Sequence, residues 1–102
     1  MGRWAQRQRT GGGINTPLSI TEVVEADTNS LEVLFSGPVD AANFVLMSFL
    51  MDPAHISPNA KSQALANSIQ LDFASAVGAQ TTLTYDGHVA NVLTPQSLTI
   101  TH

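Results

Sequence analysis

Asn29–Asp40 reads NSLEVLFSGPVD, and a second stretch, Asn67–Val77, reads NSIQLDFASAV. The order Ser, aliphatic, acid or amide, aliphatic, x, Phe occurs in both, at Ser30–Phe35 and at Ser68–Phe73, and each copy has a valine a few residues on, Val39 and Val77. In the first copy Leu31, Val33 and Phe35 alternate with Glu32, Leu34 and Ser36. That period of two is the signature of a half-buried strand. Gly37-Pro38 then ends it, because proline has no N–H to give a ladder. Both copies are expected to be core strands, with Phe35 and Phe73 pointing inward.

Leu31–Pro38 also differs by one residue, Ser36, from LEVLFQGP, a cleavage site of picornaviral cysteine proteases. The second copy assigns the stretch to the fold, since a processing scar does not recur as a strand. Ser36 moreover replaces the glutamine that such a protease reads.

Working outward, β signals continue. Leu18–Ala26 (LSITEVVEA) is rich in β-branched residues, and Asp27-Thr28-Asn29-Ser30 is turn chemistry. Thr81–Tyr85 (TTLTY) reads as a strand stopped by Asp86-Gly87, Val89–Leu93 as a short piece, and Ser97–Thr101 (SLTIT) as a terminal strand. Residues 52–67 hold two prolines and read as loop, with a short edge strand near Lys61–Leu65. Asn43–Met51 (NFVLMSFLM) is the most apolar run and has lost alternation, so periodicity alone leaves strand and short helix open. Phe44, Phe49 and the stop at Asp52-Pro53 favour a strand. About seven short strands separated by Gly, Pro, Asn and Asp imply an all-β domain, an antiparallel β-sandwich.

A chain of 102 residues is one domain at most. There is no cysteine, which excludes disulfides, thiolate catalysis and zinc–thiolate sites. Charged residues make up 12%, about half the usual share of ~25%. No apolar run approaches the roughly 20 residues of a membrane-spanning helix, and no apolar segment follows the charged N-terminus, so no signal peptide is read there. The net charge of −4 is unevenly placed. Arg3, Arg7 and Arg9 lie in the first nine positions, and the remainder sets Lys61 against eight carboxylates, a net −7 (1 − 8). Residues 1–16, with three consecutive glycines at 11–13, read as a flexible basic arm, and 17–102 as the domain.

Catalytic chemistry finds little support. His55, His88 and His102 lack ligand spacing, and Asp27, Asp40, Asp52, Asp72 and Asp86 sit at strand ends and turns. Calcium held by Asp27, Asp40 or Asp86 is chemically conceivable, but no dense acidic loop supports it. No serine has a nucleophile-elbow context, and Gly11–Gly13 lacks the lysine of a phosphate loop. Neither an enzyme nor a cofactor or metal is expected. Two features remain for binding. Arg3, Trp4, Arg7 and Arg9 suit contacts to a protein partner or, as the alternative, to nucleic-acid phosphates and a base. Val45, Met47, Phe49 and Met51 would form one face of an exposed strand and mediate self-association.

The segments ITEVVEADTNSLEVLFSGPVDAANFVL and NSIQLDFASAVGAQTTLTYDGHVANVLT resemble the bacterial immunoglobulin-like repeats of the SwmB type over residues 17–102. In Leu31–Phe44 the likeness lies in a strand ending Phe-Ser, a Pro-Val-Asp turn and an Asn-Phe start. In Asn67–Tyr85 it lies in a strand, a glycine turn and a Thr-rich strand ending in Tyr. The resemblance implies an immunoglobulin-like structural or adhesive module of surface or phage structural proteins, without catalytic residues.

Overall fold

The computed structural model describes residues 18–86 and 95–102. The basic arm, the expected piece at Val89–Leu93 and His88 lie outside them. Seven strands occur among the described residues: β1 (Ile20–Asp27), β2 (Ser30–Phe35), β3 (Phe49–Asp52), β4 (Ala60–Leu65), β5 (Ser68–Asp72), β6 (Thr82–Tyr85) and β7 (Gln96–Thr101). The chain is all-β apart from two short 3-10 turns, Ala41–Asn43 and Leu46–Ser48.

The strands form one curled sheet in the order β3-β6-β7-β1-β2-β5-β4. All neighbours are antiparallel except β1 and β7, which run parallel with Val23 opposite Ile100 and Val24 opposite Thr101. The sheet is therefore mixed and half-barrel-like, where a purely antiparallel sandwich of two layers was expected. β7 is the cause. Its first four residues pair with β6, Gln96 opposite Tyr85 through Thr99 opposite Thr82. Its last two then turn to β1, so one strand belongs to both halves of the curl and joins them.

The concave side holds the core. Leu31, Val33 and Phe35 of β2 and Ile69 and Leu71 of β5 are buried, as their alternation requires, and Phe73 beyond β5 is 3% exposed. Phe35 is 2% exposed, so both repeat phenylalanines lie inside. From the other half come Phe49, Met51, Leu83 and Tyr85. Phe44 stands between the halves, with ring centroids 5.2 Å from Phe35, 5.9 Å from Phe49 and 6.2 Å from Tyr85. Tilted and edge-on pairs at such spacings contribute beyond their buried area.

Residues 43–51 correct the expectation of one strand. Asp40 Oδ1 accepts from Ala42 N at 3.0 Å and caps the first 3-10 turn. Phe44 drops into the core from the link between the two turns, and the strand begins only at Phe49. A turn can aim one large ring inward without burying its neighbours, which is why the run lost its alternation.

The sequence repeat becomes geometry. β2 and β5 are adjacent and antiparallel, with Glu32 opposite Gln70, Leu31 opposite Leu71 and Val33 opposite Ile69. A local two-fold thus relates hairpin β1–β2 to hairpin β4–β5. Phe35 N donates to Asn67 O at 2.8 Å, and Phe73 N donates to Asn29 O at 2.8 Å. Asn67 Nδ2 donates to Phe35 O and Asn29 Nδ2 to Phe73 O, both at 3.3 Å. Val39 N donates to Ala66 O, and Val77 N to Thr28 O, both at 2.9 Å. Each hairpin turns through two residues, Thr28-Asn29 or Ala66-Asn67, and each outer strand carries a bulge one step before, at Ala26 and Ala64. Neither asparagine has positive φ; among described non-glycine residues His55 alone does. Asparagine is used here for the reach of its amide across the strand pair.

Candidate interaction surface

The expected apolar contact stripe divides. Val45, which precedes the second 3-10 turn, and Met47, in its middle, are 49% and 80% exposed. Phe49 and Met51 on β3 are fully buried, and a side chain already filling the core cannot also meet a partner. The correction follows from the strand starting at Phe49, because the alternation of β3 sends 49 and 51 inward. Leu65, at the end of β4, is 59% exposed and completes the set of large exposed hydrophobics among the described residues. It sits in a stretch expected to be loop or short edge strand, and a lone exposed leucine there gave no sequence signal. Arg3, Trp4, Arg7 and Arg9 lie outside the described residues.

The convex face of β1-β2-β5-β4 is polar and acidic. Glu22, Glu32 and Asp72 project from it, with Asp27 at its end, and register places Val24, Glu32, Gln70 and Ser62 in one row. Ser30 Oγ donates to Asp72 Oδ1 at 2.6 Å, and Gln70 Nε2 to the same oxygen at 3.0 Å. These bonds, Gln70 first, hold the Asp72 carboxyl below its ordinary value. Ser68 Oγ, fully buried, donates to Glu32 Oε2 at 2.7 Å and accepts from Leu65 N at 3.0 Å. Lys61, the single lysine or arginine after residue 9, is turned away from this face: its Nζ donates to Ala41 O at 2.8 Å.

The remaining titratable groups are structural. His102 bridges two acceptors, Glu25 Oε1 at 2.6 Å from Nδ1 and Gln80 O at 2.7 Å from Nε2. Both ring nitrogens then carry protons, and the Glu25 bond first, the Gln80 bond next, raise His102 above its ordinary value. His55 meets Asp52 at 3.1 Å in an exposed turn. Of the three aspartates weighed for calcium, Asp27 and Asp40 are used on nearby backbone, at Thr28 N and Ala42 N. They lie beyond opposite ends of β2. Among the described residues no group of three or more His, Asp or Glu could hold a metal ion.

No family model matches the chain, and no curated protein matches it in sequence. Solved structures do match in fold. The N-terminal part of the bacterial S-layer protein SbsC superposes with a TM-score of 0.69 at 15% identity, over 85% of this chain and 24% of that one. The surface layer protein SbsC, domains 1–6, gives 0.70 at 16% identity, and the S-layer protein rSbsC(31-844) gives 0.68 at 16%, each over 85% of this chain and 14% of the other. The chain thus spans a small part of the proteins it resembles, and what it shares with them is the fold.

Proposed function

We propose that this chain is a non-enzymatic, immunoglobulin-like interaction or assembly module of a surface or phage structural protein. The observation that carries the reading is the fold shared with parts of an S-layer protein at TM-scores near 0.7. The finer assignment, to the SwmB-type immunoglobulin-like repeats, draws on the Phe-Ser strand end, Pro-Val-Asp turn and Asn-Phe start within Leu31–Phe44 and on the Thr-rich strand ending in Tyr85. Contacts to a protein partner or to a second copy are assigned to Val45 and Met47 and to the arm residues Arg3, Trp4, Arg7 and Arg9. The nucleic-acid alternative rests on the arm alone and is opposed by the net −7 of the rest of the chain.

Replacing Met47, 80% exposed, by Glu tests the apolar contact. Self-association measured by sedimentation should weaken in Met47→Glu while the melting temperature stays within about 2–4 °C, as for a surface substitution. A chain that remains monomeric at every concentration, and captures no copy of itself when immobilised, would sink the self-assembly form of the proposal.

A further inference from the structure

The local two-fold fails at one place, the outer edge. On β1 that edge is taken by β7, with Ile100 opposite Val23 and Thr101 opposite Val24. The equivalent residues of β4 are Lys61 and Ser62, and β4 ends the sheet, with no strand beyond it among the described residues. The edge is six residues long and holds no proline. Its one charge does not guard it, because Lys61 is bound to Ala41 O, and the Gln63 amide is likewise occupied at Val39 O, Leu65 O and Ala41 N. A row of unpaired backbone donors and acceptors is a template for another strand.

The convex face beside this edge specifies the charge of that strand. Ala60, Ser62 and Ala64 are small and exposed, and past them lie Asp72, Glu32 and Glu22 with no lysine or arginine among them. Every arginine of the chain is in the arm, spaced at 3, 7 and 9. In an extended strand these three share one face, and Trp4, Gln6 and Gln8 share the other.

We propose that the edge of β4 receives the N-terminal arm of a second copy of this chain, residues Arg3–Arg9, as an added strand whose arginines lie on the convex side, toward Asp72 and the acidic face beyond it. The chain's own arm is poorly placed for this. It joins the domain beside Ser19, at the Leu65 end of the sheet, four strand spacings or about 19 Å from the vacant position. Residues 10–17 extend to about 28 Å at most, and that end is already filled. Ser36 N donates to Ser19 O and Val39 N to Ala66 O, so the path would cross the 36–40 segment and the Ala66-Asn67 turn. Connections avoid such crossings, and a neighbour's arm meets none. The inference deepens the assembly reading and rests on it.

The test uses the full chain in sedimentation over a wide concentration range at low and high salt. One variant is Arg3→Glu/Arg7→Glu/Arg9→Glu, and the other is Ser62→Lys/Ala64→Lys, which sets cations beside the edge. Each alone should associate about tenfold more weakly than the parent. Mixed together they should associate again, since each arm then finds an edge of opposite sign. Salt should weaken the parent's association, and hydrogen exchange at Lys61–Gln63 should slow as concentration rises. Association that ignores arm reversal overturns the docking while leaving an assembly module that uses Val45 and Met47. Protection of β4 that depends on the arm but not on concentration overturns it in favour of the chain's own arm. A parent that stays monomeric while both variants fold overturns it together with self-assembly.

Discussion

At the residue scale, two kinds of side chain control this protein. Phe35 and Phe73 are equivalent residues of the two hairpins, both nearly completely buried. Replacing either by Ala removes most of a ring and leaves a cavity, at a cost of about 3–5 kcal/mol, a large share of a small domain's stability. Denaturant unfolding of Phe35→Ala and Phe73→Ala should show that loss in the midpoint. A cost below about 1 kcal/mol would mean that the core collapses around the gap or that the rings are not packed as described. His102 gives the second test. Its partners are both acceptors, so the clasp to Glu25 and Gln80 needs the imidazolium. The folded value is raised above 6.5, so the stabilisation is fully present below pH 6.5 and is lost as pH rises through the folded value. His102→Gln should flatten that part of the stability profile, the fall that sets in above about pH 6.5. An unchanged slope in the variant would assign the pH dependence elsewhere.

At the element scale, the two hairpins show how one local plan takes two positions in a sheet. The bulges, turns, Asn–Phe bonds and inward aliphatics coincide. The outer strands do not: β1 carries Val23, buried against Ile100, where β4 carries Lys61. An apolar residue at that point makes β1 an interior strand, and a lysine held by Ala41 O leaves β4 at the edge. The asparagine bonds permit a clean comparison. Asn29→Ala and Asn67→Ala should each cost about 1 kcal/mol, the net worth of one hydrogen bond. Because the two bonds lie at opposite ends of the β2–β5 pair, the double variant should cost close to the sum. Strong non-additivity in equilibrium unfolding would mean that the hairpin pair responds as one unit and not as two local ties.

At the scale of the whole molecule, the core draws on Ile20 through Ile100 and closes around Phe44, while β7 holds the two halves of the curl together. The arm is charged and glycine-rich, with Trp4 and Ile14 as its large apolar side chains apart from Met1. Ordering a residue costs roughly 1–2 kcal/mol, more than this composition returns without a partner. Removing residues 1–16 should therefore leave the melting temperature of the dilute chain unchanged while reducing its self-association. A marked drop in melting temperature in scanning calorimetry would show that the arm packs on its own domain.

The all-β class, the two repeat strands and the inward direction of Phe35 and Phe73 were legible in the sequence alone. Each depends on period-two alternation within six residues, a local property that survives any arrangement of the strands. The pairing of β2 with β5 left a trace too, because a local two-fold repeats sequence as well as contacts. Tertiary structure decided the rest. The periodicity of residues 43–51 leaves strand and short helix open and their aromatics favour a strand, and only the space between Phe35, Phe49 and Tyr85 places Phe44 there from a turn. That placement separates Val45 and Met47 at the surface from Phe49 and Met51 in the core. The parallel contact of β7 with β1 and the open edge of β4 join residues far apart in the chain, and alternation says nothing about which strand a neighbour will be.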